Sequence, residues 1–451
     1  MSHTHDQRSR REFLQRSAIA GAAAVAAPYL IPNGVLAADG QPGANDRIGI
    51  AGIGIGRQGT GILTRAVRAA EGRFIGVADV SLPRAEQKCK ELGGGVAVKD
   101  YRRLLERKDV DAIVTATPEH WRAIICIHAC QAGKDVYAEK PVSLTIREGR
   151  LMVQAARKYN RVFQVGSQQR STDICRIACE FIRRGGLGKI SKIITMRYPS
   201  PFYCGLPGQP VPDGLDWDMW CGPTEVVPFH PELYIPRGKP GWLSFYPYSG
   251  GEMTGWGAHG LDMIQWALGM DESGPTEIWV EGDKFDPPTI TEPESNARPN
   301  IQCSNPAVYW RYANGVTLVM DEVFGKQPGK PAPKAPSFGG IVHGEKGVAV
   351  IDRGKFTTDP PELAKQVLEG VKNRETHVEN WMACIKTRQR PNADIEIGHR
   401  SATVCHLGNI ARWTHRKLRW DPVAEHFIGD AEANSHLDRP RRKPYVLPET
   451  I

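Results

Sequence analysis

From residue 47 onward, short apolar runs alternate with amphipathic stretches of helical period. Arg47–Ala51 reads as a buried strand and Gly59–Ala70 as a helix; Arg73–Ala78 and Leu82–Leu92 repeat the pair. Ala112–Ala116, Asp135–Ala138 and Arg161–Val165 are further strands, separated by helices over His120–Ala132 and Thr145–Tyr159. Apolar strands joined by helices of this length predict a parallel sheet covered on both faces. The pattern places such a domain at residues 45–170.

Beyond Gly188 the rhythm changes. Ile190–Tyr198, Glu277–Glu281, Val308–Tyr312, Thr317–Val323, Gly339–His343 and Gly347–Ile351 read as half-buried strands with few helices between them. That pattern predicts an α+β domain, residues 171–420, with a mainly antiparallel sheet. Helices follow at Thr376–Lys386 and Gly398–Trp413, and a tail rich in Pro, Arg and Lys (421–451) is expected to wrap a surface. The long aromatic, Pro/Gly-rich excursion Pro199–Ser249 is expected to serve function or an interface, as loops of that length do.

The first 38 residues read as a leader rather than as fold. Ser9-Arg10-Arg11-Glu12-Phe13-Leu14-Gln15 matches the twin-arginine pattern except at its last position, and an Ala/Gly-rich run and the small-residue stretch Val35–Ala38 follow. Export through the twin-arginine machinery to the periplasm or cell envelope of a bacterium is the expectation, with no membrane span in the mature chain. A net charge of +8 over 451 residues, with no basic block interleaved with aromatics, speaks against nucleic acid. The ten cysteines are dispersed; Cys126/Cys130 and Cys175/Cys179 sit at helical spacing, which predicts core packing and neither a disulfide framework nor a metal site.

Candidate chemistry begins at Ile48–Gly59. Gly54, Gly56 and Gly59 form G-x-G-x-x-G directly after a strand and opening a helix, with Gly52 allowing a second register. Such glycines permit a tight turn, backbone contact with a pyrophosphate and close helix–strand packing. Arg57 and Gln58 lie at the helix start. Asp79 closes the second strand, where a carboxylate accepts from both ribose hydroxyls. This is a Rossmann dinucleotide pattern. Asp79 favours NAD, while Ser81 and Arg84 keep NADP open.

Two further segments end strands that face the same crevice: Thr115-Ala116-Thr117-Pro118-Glu119-His120 and Ala138-Glu139-Lys140-Pro141-Val142. Thr117, Pro118, His120, Glu139 and Lys140 are therefore expected beside the nicotinamide. A lysine placed there can donate to a sugar hydroxyl or carbonyl oxygen.

From about Arg47 to Asp421 the chain resembles the Gfo/Idh/MocA family, the glucose–fructose oxidoreductase and inositol dehydrogenase group. The resemblance rests on the glycine loop, "ATPEH", "EKP" at Glu139–Pro141 and "GGEMTGWGAHGLD" at Gly250–Asp262. "VGSQQRS" at Val165–Ser171 and "LDWDMWCGP" at Leu215–Pro223 resemble secreted members. It implies that Lys140 is the catalytic-site lysine and His259 the general acid/base. Arg170, Trp256 and Asp262 are expected on the substrate side, Asp262 as either a ligand carboxylate or a helix-face residue. It also implies a homodimer or homotetramer. One departure stands out: where inositol-dehydrogenase-like members carry Asp four residues before the histidine, this chain has Gly255. Trp217, Trp220, Trp242, Tyr246, Tyr248 and Trp256 either stack on a sugar or pack the long excursion.

Three functions follow as expectations. The first is an NAD(P)-dependent oxidoreductase acting on a sugar, polyol or sugar derivative. The second is an exported glycosidase, lyase or epimerase using NAD transiently, which the missing Asp favours. The third is an inactive sugar-binding relative. Export further implies a cofactor loaded before translocation and retained.

Overall fold

The computed structural model describes residues 43, 46–238, 240–293, 305–321, 338–369 and 376–451. The leader motif and the end of the run Thr317–Val323 lie outside the described residues. Among the described residues no helix is long and apolar enough to cross a membrane.

The first domain is a six-stranded parallel sheet. Its strands are β1 (Ile48–Ile53), β2 (Gly72–Ala78), β3 (Val96–Val98), β4 (Ala112–Thr115), β5 (Asp135–Ala138) and β6 (Phe163–Val165), in spatial order β3-β2-β1-β4-β5-β6. Every pairing is parallel. The order reverses at β1/β4, so the carboxyl ends of those strands open a crevice. Helices Arg57–Arg68, Leu82–Glu91, Glu119–Gln131 and Ile146–Lys158 cover the faces. Strand β3 escapes the hydrophobic pattern because it is only three residues long, behind Gly93, Gly94 and Gly95.

The second domain is built on a nine-stranded sheet of β7 (Ile190–Thr195), β10 (Glu277–Glu281), β12 (Ala307–Arg311), β13 (Thr317–Met320), β14 (Gly340–Gly344), β15 (Gly347–Asp352), β16 (Lys355–Asp359), β17 (Leu418–Asp421) and β18 (His426–Phe427). It is mainly antiparallel, with one departure: β7 and β13 run parallel at its centre. A small separate sheet joins β8 (Phe202–Cys204), β9 (Phe245–Tyr246) and β11 (Thr289–Ile290).

Helix Ile395–Thr414 is the spine between the two domains, buried along nearly its whole length. Close approach to the first domain requires glycine on both sides. A Cβ at Gly149 would lie 2.3 Å from His399 Nδ1, and one at Gly398 would lie 2.4 Å from Val165. Cys126, Cys130, Cys175 and Cys179 are buried on helices as free thiols, as their spacing predicts.

The excursion 199–249 is a folded strap. It has its own aromatic core, in which Trp217 and Trp220 stack at 4.4 Å and Phe229 meets Trp217 edge-on. The strap is fastened to the crevice lip by Asp216 N–H donating to Val80 (2.9 Å) and Leu82 N–H donating to Gly214 (3.2 Å). Trp121 Nε1 adds a bond to the Met219 carbonyl at 2.8 Å.

The tail does more than cover a surface. Arg439 and Arg441 both donate to the Glu148 carboxylate, which also accepts from Leu144 N–H. All three side chains are at most 8% exposed. Replacing Glu148 by Ala leaves the buried Arg439 guanidinium without a carboxylate, while Arg441 keeps Asp438, and should cost roughly 3 kcal/mol in chemical denaturation; a loss under about 1 kcal/mol would show that the tail is not anchored there.

Candidate active site

The glycine loop sets one side of the crevice. Gly54 has φ +69, and a Cβ on it would lie 2.3 Å from Thr117 Cγ2, so this turn admits only glycine. Gly56 faces open space, with nothing within 4 Å of the point where a Cβ would stand. Gly59 packs its helix against the loop, where a Cβ would lie 2.8 Å from the Gly54 carbonyl oxygen. The helix Arg57–Arg68 starts with no side-chain cap and no acidic residue in its first turn, so its free amides and dipole face the crevice uncompensated. Gly52 requires a correction: a Cβ there would run into Leu63 and Ile55, so it is a packing glycine and plays no part in the cradle.

Asp79 follows β2 directly, with one oxygen turned toward the loop and the other toward its own chain at Ser81. Oδ2 accepts from Ile55 N–H at 3.1 Å and Oδ1 from Ser81 N–H at 2.9 Å, with Arg84 3.5 Å away. Burial raises its pKa, opposed chiefly by Arg84. A glycine that opens on the cleft, uncapped amides beside it and a carboxylate on the next strand end together fit a dinucleotide.

Glu139 and Lys140 stand at the end of β5. Glu139 Oε1 accepts from Gln58 at 3.2 Å and from Gln168 at 2.8 Å, and Oε2 accepts from the Lys140 amide at 3.2 Å. Lys140 Nζ donates to the Gly255 carbonyl at 2.8 Å. Burial lowers its pKa, partly opposed by Glu139. His259, 5% exposed, lies in the first turn of the helix Gly257–Ala267 and rests against Phe338 at 5.0 Å. Its Nδ1 has no hydrogen-bond partner among the described residues. Burial holds its pKa well below the usual imidazole value, and the nearby charges of Lys140, Arg353 and Arg237 push the same way.

One cavity of about 1000 Å³ joins these parts. Gly54, Gly56, Arg57, Gln58, Asp79, Thr117, Pro118, Glu139, Lys140, Trp256 and His259 all line it. The strap supplies a further wall with Trp220 and Trp242, two of the aromatics singled out in the sequence, and with Tyr234 and Arg237, which no motif marks. Trp217 and Tyr248 are packing residues of the strap, whereas Trp256 is 38% exposed at the cavity.

Three other expected site residues lie elsewhere. His120 turns away from the cavity: its Nε2 bonds the Trp220 carbonyl at 2.8 Å, its ring packs on Trp220 and Tyr248, and burial lowers its pKa to about 3. Arg170 and Asp262 are spent on each other at 2.9 Å, both at most 2% exposed. Arg170 also pairs with Asp271 and lies over Trp266, while Asp262 accepts from Ser401. They form a buried ion pair behind the site and do not touch its cavity.

The residue beside His120 proves more consequential. Glu119 accepts from the Ser249 hydroxyl (2.7 Å), Gly250 N–H (3.0 Å) and the Thr254 hydroxyl (3.2 Å), all in the segment leading to His259. One turn on, buried Arg122 donates to the carbonyls of Thr117 and Pro141. A single helical turn thus ties together the three loops carrying Thr117, Lys140 and His259.

A Rossmann oxidoreductase architecture with a second, mostly antiparallel domain is the class that fold and cavity define. Comparison with known families agrees. Residues 47–167 match the Gfo/Idh/MocA oxidoreductase family's NAD-binding Rossmann fold, and residues 202–447 match its C-terminal alpha/beta domain. The chain belongs to the Gfo/Idh/MocA oxidoreductase family. A levoglucosan dehydrogenase of Pseudarthrobacter phenanthrenivorans is 30% identical over 114 residues, 25% of this chain and 29% of that one. A glycosyl hydrolase family 109 protein of Shewanella sp. is 33% identical over 112 residues, 23% of this chain and 25% of that one. These alignments span under a third of either relative's length. The scyllo-inositol dehydrogenase of Lactobacillus casei, solved with NAD(H) and scyllo-inositol, superposes with a TM-score of 0.53 at 17% identity, over 84% of this chain and 100% of that one.

Burial pushes Glu119 up to about 7 from an ordinary 4.5, against the pull of Arg122 and Gly250 N–H. The native state therefore holds this proton more tightly than the unfolded chain. The associated stability is full below the unfolded pKa and is lost as pH rises through the folded one, by roughly 3 kcal/mol in all. Urea unfolding at about pH 5 and about pH 8 should show that decline in the parent and a flatter dependence in Glu119→Gln. Equal slopes would show that Glu119 is ionised throughout.

Proposed function

We propose that the protein is an NAD(P)-dependent oxidoreductase of a sugar, polyol or sugar derivative, using NAD in preference to NADP. The observation that carries this reading is the shared cavity, which has the glycine loop and Asp79 on one side and Lys140 and His259 on the other. The dinucleotide, when bound, supplies the hydride acceptor for a carbinol carbon. The open Gly56 and the uncapped amides beyond it would hold the pyrophosphate, and Asp79 would hold ribose hydroxyls. Asp79 would repel a 2′-phosphate, which favours NAD.

Lys140 keeps one N–H on the Gly255 carbonyl and has two left to hold and polarise the substrate oxygen. His259 is neutral, so its imidazole accepts the hydroxyl proton as the hydride departs. Gln58 and Gln168 hold Glu139, which in turn fixes the Lys140 backbone. The strap fastened at Val80–Leu82 covers the crevice lip, which favours a retained cofactor. Retention also suits the twin-arginine leader: we read the protein as exported, folded and already loaded, to the bacterial envelope. By the family resemblance we also infer a homo-oligomer.

A second reading is favoured by one observation. Gly255 lacks the carboxylate of inositol-dehydrogenase-like members, and a Cβ there would lie 2.7 Å from Glu252 Oε2. The space is taken by the Glu252–Arg237 pair, so an Asp could not be accommodated without displacing it. With the local likeness to a family 109 glycosyl hydrolase, this supports transient oxidation of a glycoside followed by cleavage or epimerisation. A glycoside panel that yields product without net NADH would select that reading.

Protein purified without added cofactor and then denatured should release NAD(H) in near-stoichiometric amount. Lys140→Met should abolish turnover, with a loss of about 100-fold or more, while the dinucleotide still binds. Retained turnover would remove Lys140 from the chemistry; protein that neither carries nor binds a dinucleotide would overturn the reading.

A further inference from the structure

Beyond Lys140 and His259 the cavity ends in an arrangement that no sequence motif marks. Trp256 stands at the mouth, 38% exposed, between two guanidinium groups. The Arg237 Cζ lies 5.1 Å from its ring centroid and the Arg353 Cζ 5.5 Å, and Arg353 also lies 4.4 Å over Phe338. Both arginines line the cavity. They arrive from distant places: Arg237 from the strap, Arg353 from the turn between β15 and β16.

Their charges are unequally compensated. Arg237 is paired with Glu252 through two contacts of 3.2 Å. Arg353 is exposed, and among the described residues its guanidinium meets aromatic rings and no carboxylate. Lys140 adds a third cation, satisfied by a neutral carbonyl. The nearest acid on that side, Glu139, is already engaged by two glutamines and a backbone amide. The mouth therefore carries an excess of positive charge, which His259 also registers.

A guanidinium that packs on rings and meets no carboxylate keeps its fork of N–H donors available. Such a fork suits the two oxygens of a carboxylate, or those of a sulfate or phosphate ester. A neutral sugar would offer this guanidinium hydroxyl oxygens but no opposite charge, and charge-assisted bonds are the stronger ones. We propose that the substrate is an anionic sugar, whose acidic substituent is held by Arg353 at the Trp256 rim while a hydroxyl faces Lys140 and His259. This specificity rests on the sugar-oxidoreductase reading above and narrows it to one substrate class.

The test is calorimetric titration of the cofactor-loaded protein with matched pairs: glucose and glucuronate, galactose and galacturonate, mannose and mannuronate. The 6-phosphate and 6-sulfate of each hexose form further arms that identify the acidic group. At least one anion should bind about tenfold or more tightly than its neutral parent, and its affinity should fall with added salt. In Arg353→Gln the anion-to-neutral ratio should collapse to within about threefold, and Arg353→Lys should fall between, because it keeps charge and loses the fork. Thermal melts establish that the variants are folded. If neutral sugars bind and reduce the cofactor as well as the anions do, the anionic specificity is overturned while the oxidoreductase reading stands. The same holds if Arg353→Gln leaves the ratio intact. If no sugar of either kind binds or turns over, both fall.

Discussion

The site depends on one helical turn whose two buried polar side chains point opposite ways. Glu119 reaches into the second domain, to the Ser249–Thr254 segment that leads to His259, and Arg122 reaches the carbonyls of Thr117 and Pro141, in the loops after the adjacent strands β4 and β5. Neither carbonyl belongs to a ladder or a helix, so without the guanidinium both would be costly to bury. Because the turn is rigid, the loops after β4 and β5 and the histidine segment are set in one register. Catalytic geometry tolerates little slack, which gives this arrangement its functional weight.

Around that turn the cavity is graded in charge. Its glycine-loop end presents backbone N–H groups and a helix terminus, with Asp79 as the flanking acid. Its far end concentrates Lys140, Arg237 and Arg353 around a neutral histidine. Burial and these cations favour the uncharged imidazole of His259, whose Nδ1 has no hydrogen-bond partner among the described residues. The strap lines this space and carries an aromatic core of its own.

Local features of the site were legible in the sequence and long-range ones were not. Gly54, Gly56, Gly59 and Asp79 act within one strand–helix–strand unit, where spacing encodes geometry, and Lys140 follows a strand end whose direction the sheet dictates. His120 and Glu119 are neighbours, yet helical rotation sends only Glu119 into the polar network and packs His120 among tryptophan and tyrosine. Arg170 and Asp262 read as ligands because charged residues flank motifs; a partner 92 residues away neutralises each, and spacing carries no trace of that pairing. Arg237 and Arg353 were invisible for the same reason. In the fold, the alternation of the second domain predicted its strands, but the parallel β7–β13 pair arises from chain path rather than from pattern.

On the proposed reading, one dinucleotide lies between the glycine loop and the Lys140–His259 end, beneath the strap. Hydrogen–deuterium exchange of stripped protein with and without added NAD reads this segment by segment. Slowed exchange is expected at residues 54–58, 116–118 and 139–140 together with strap residues 231–238. Protection confined to residues 54–58, or absent throughout, would contradict it.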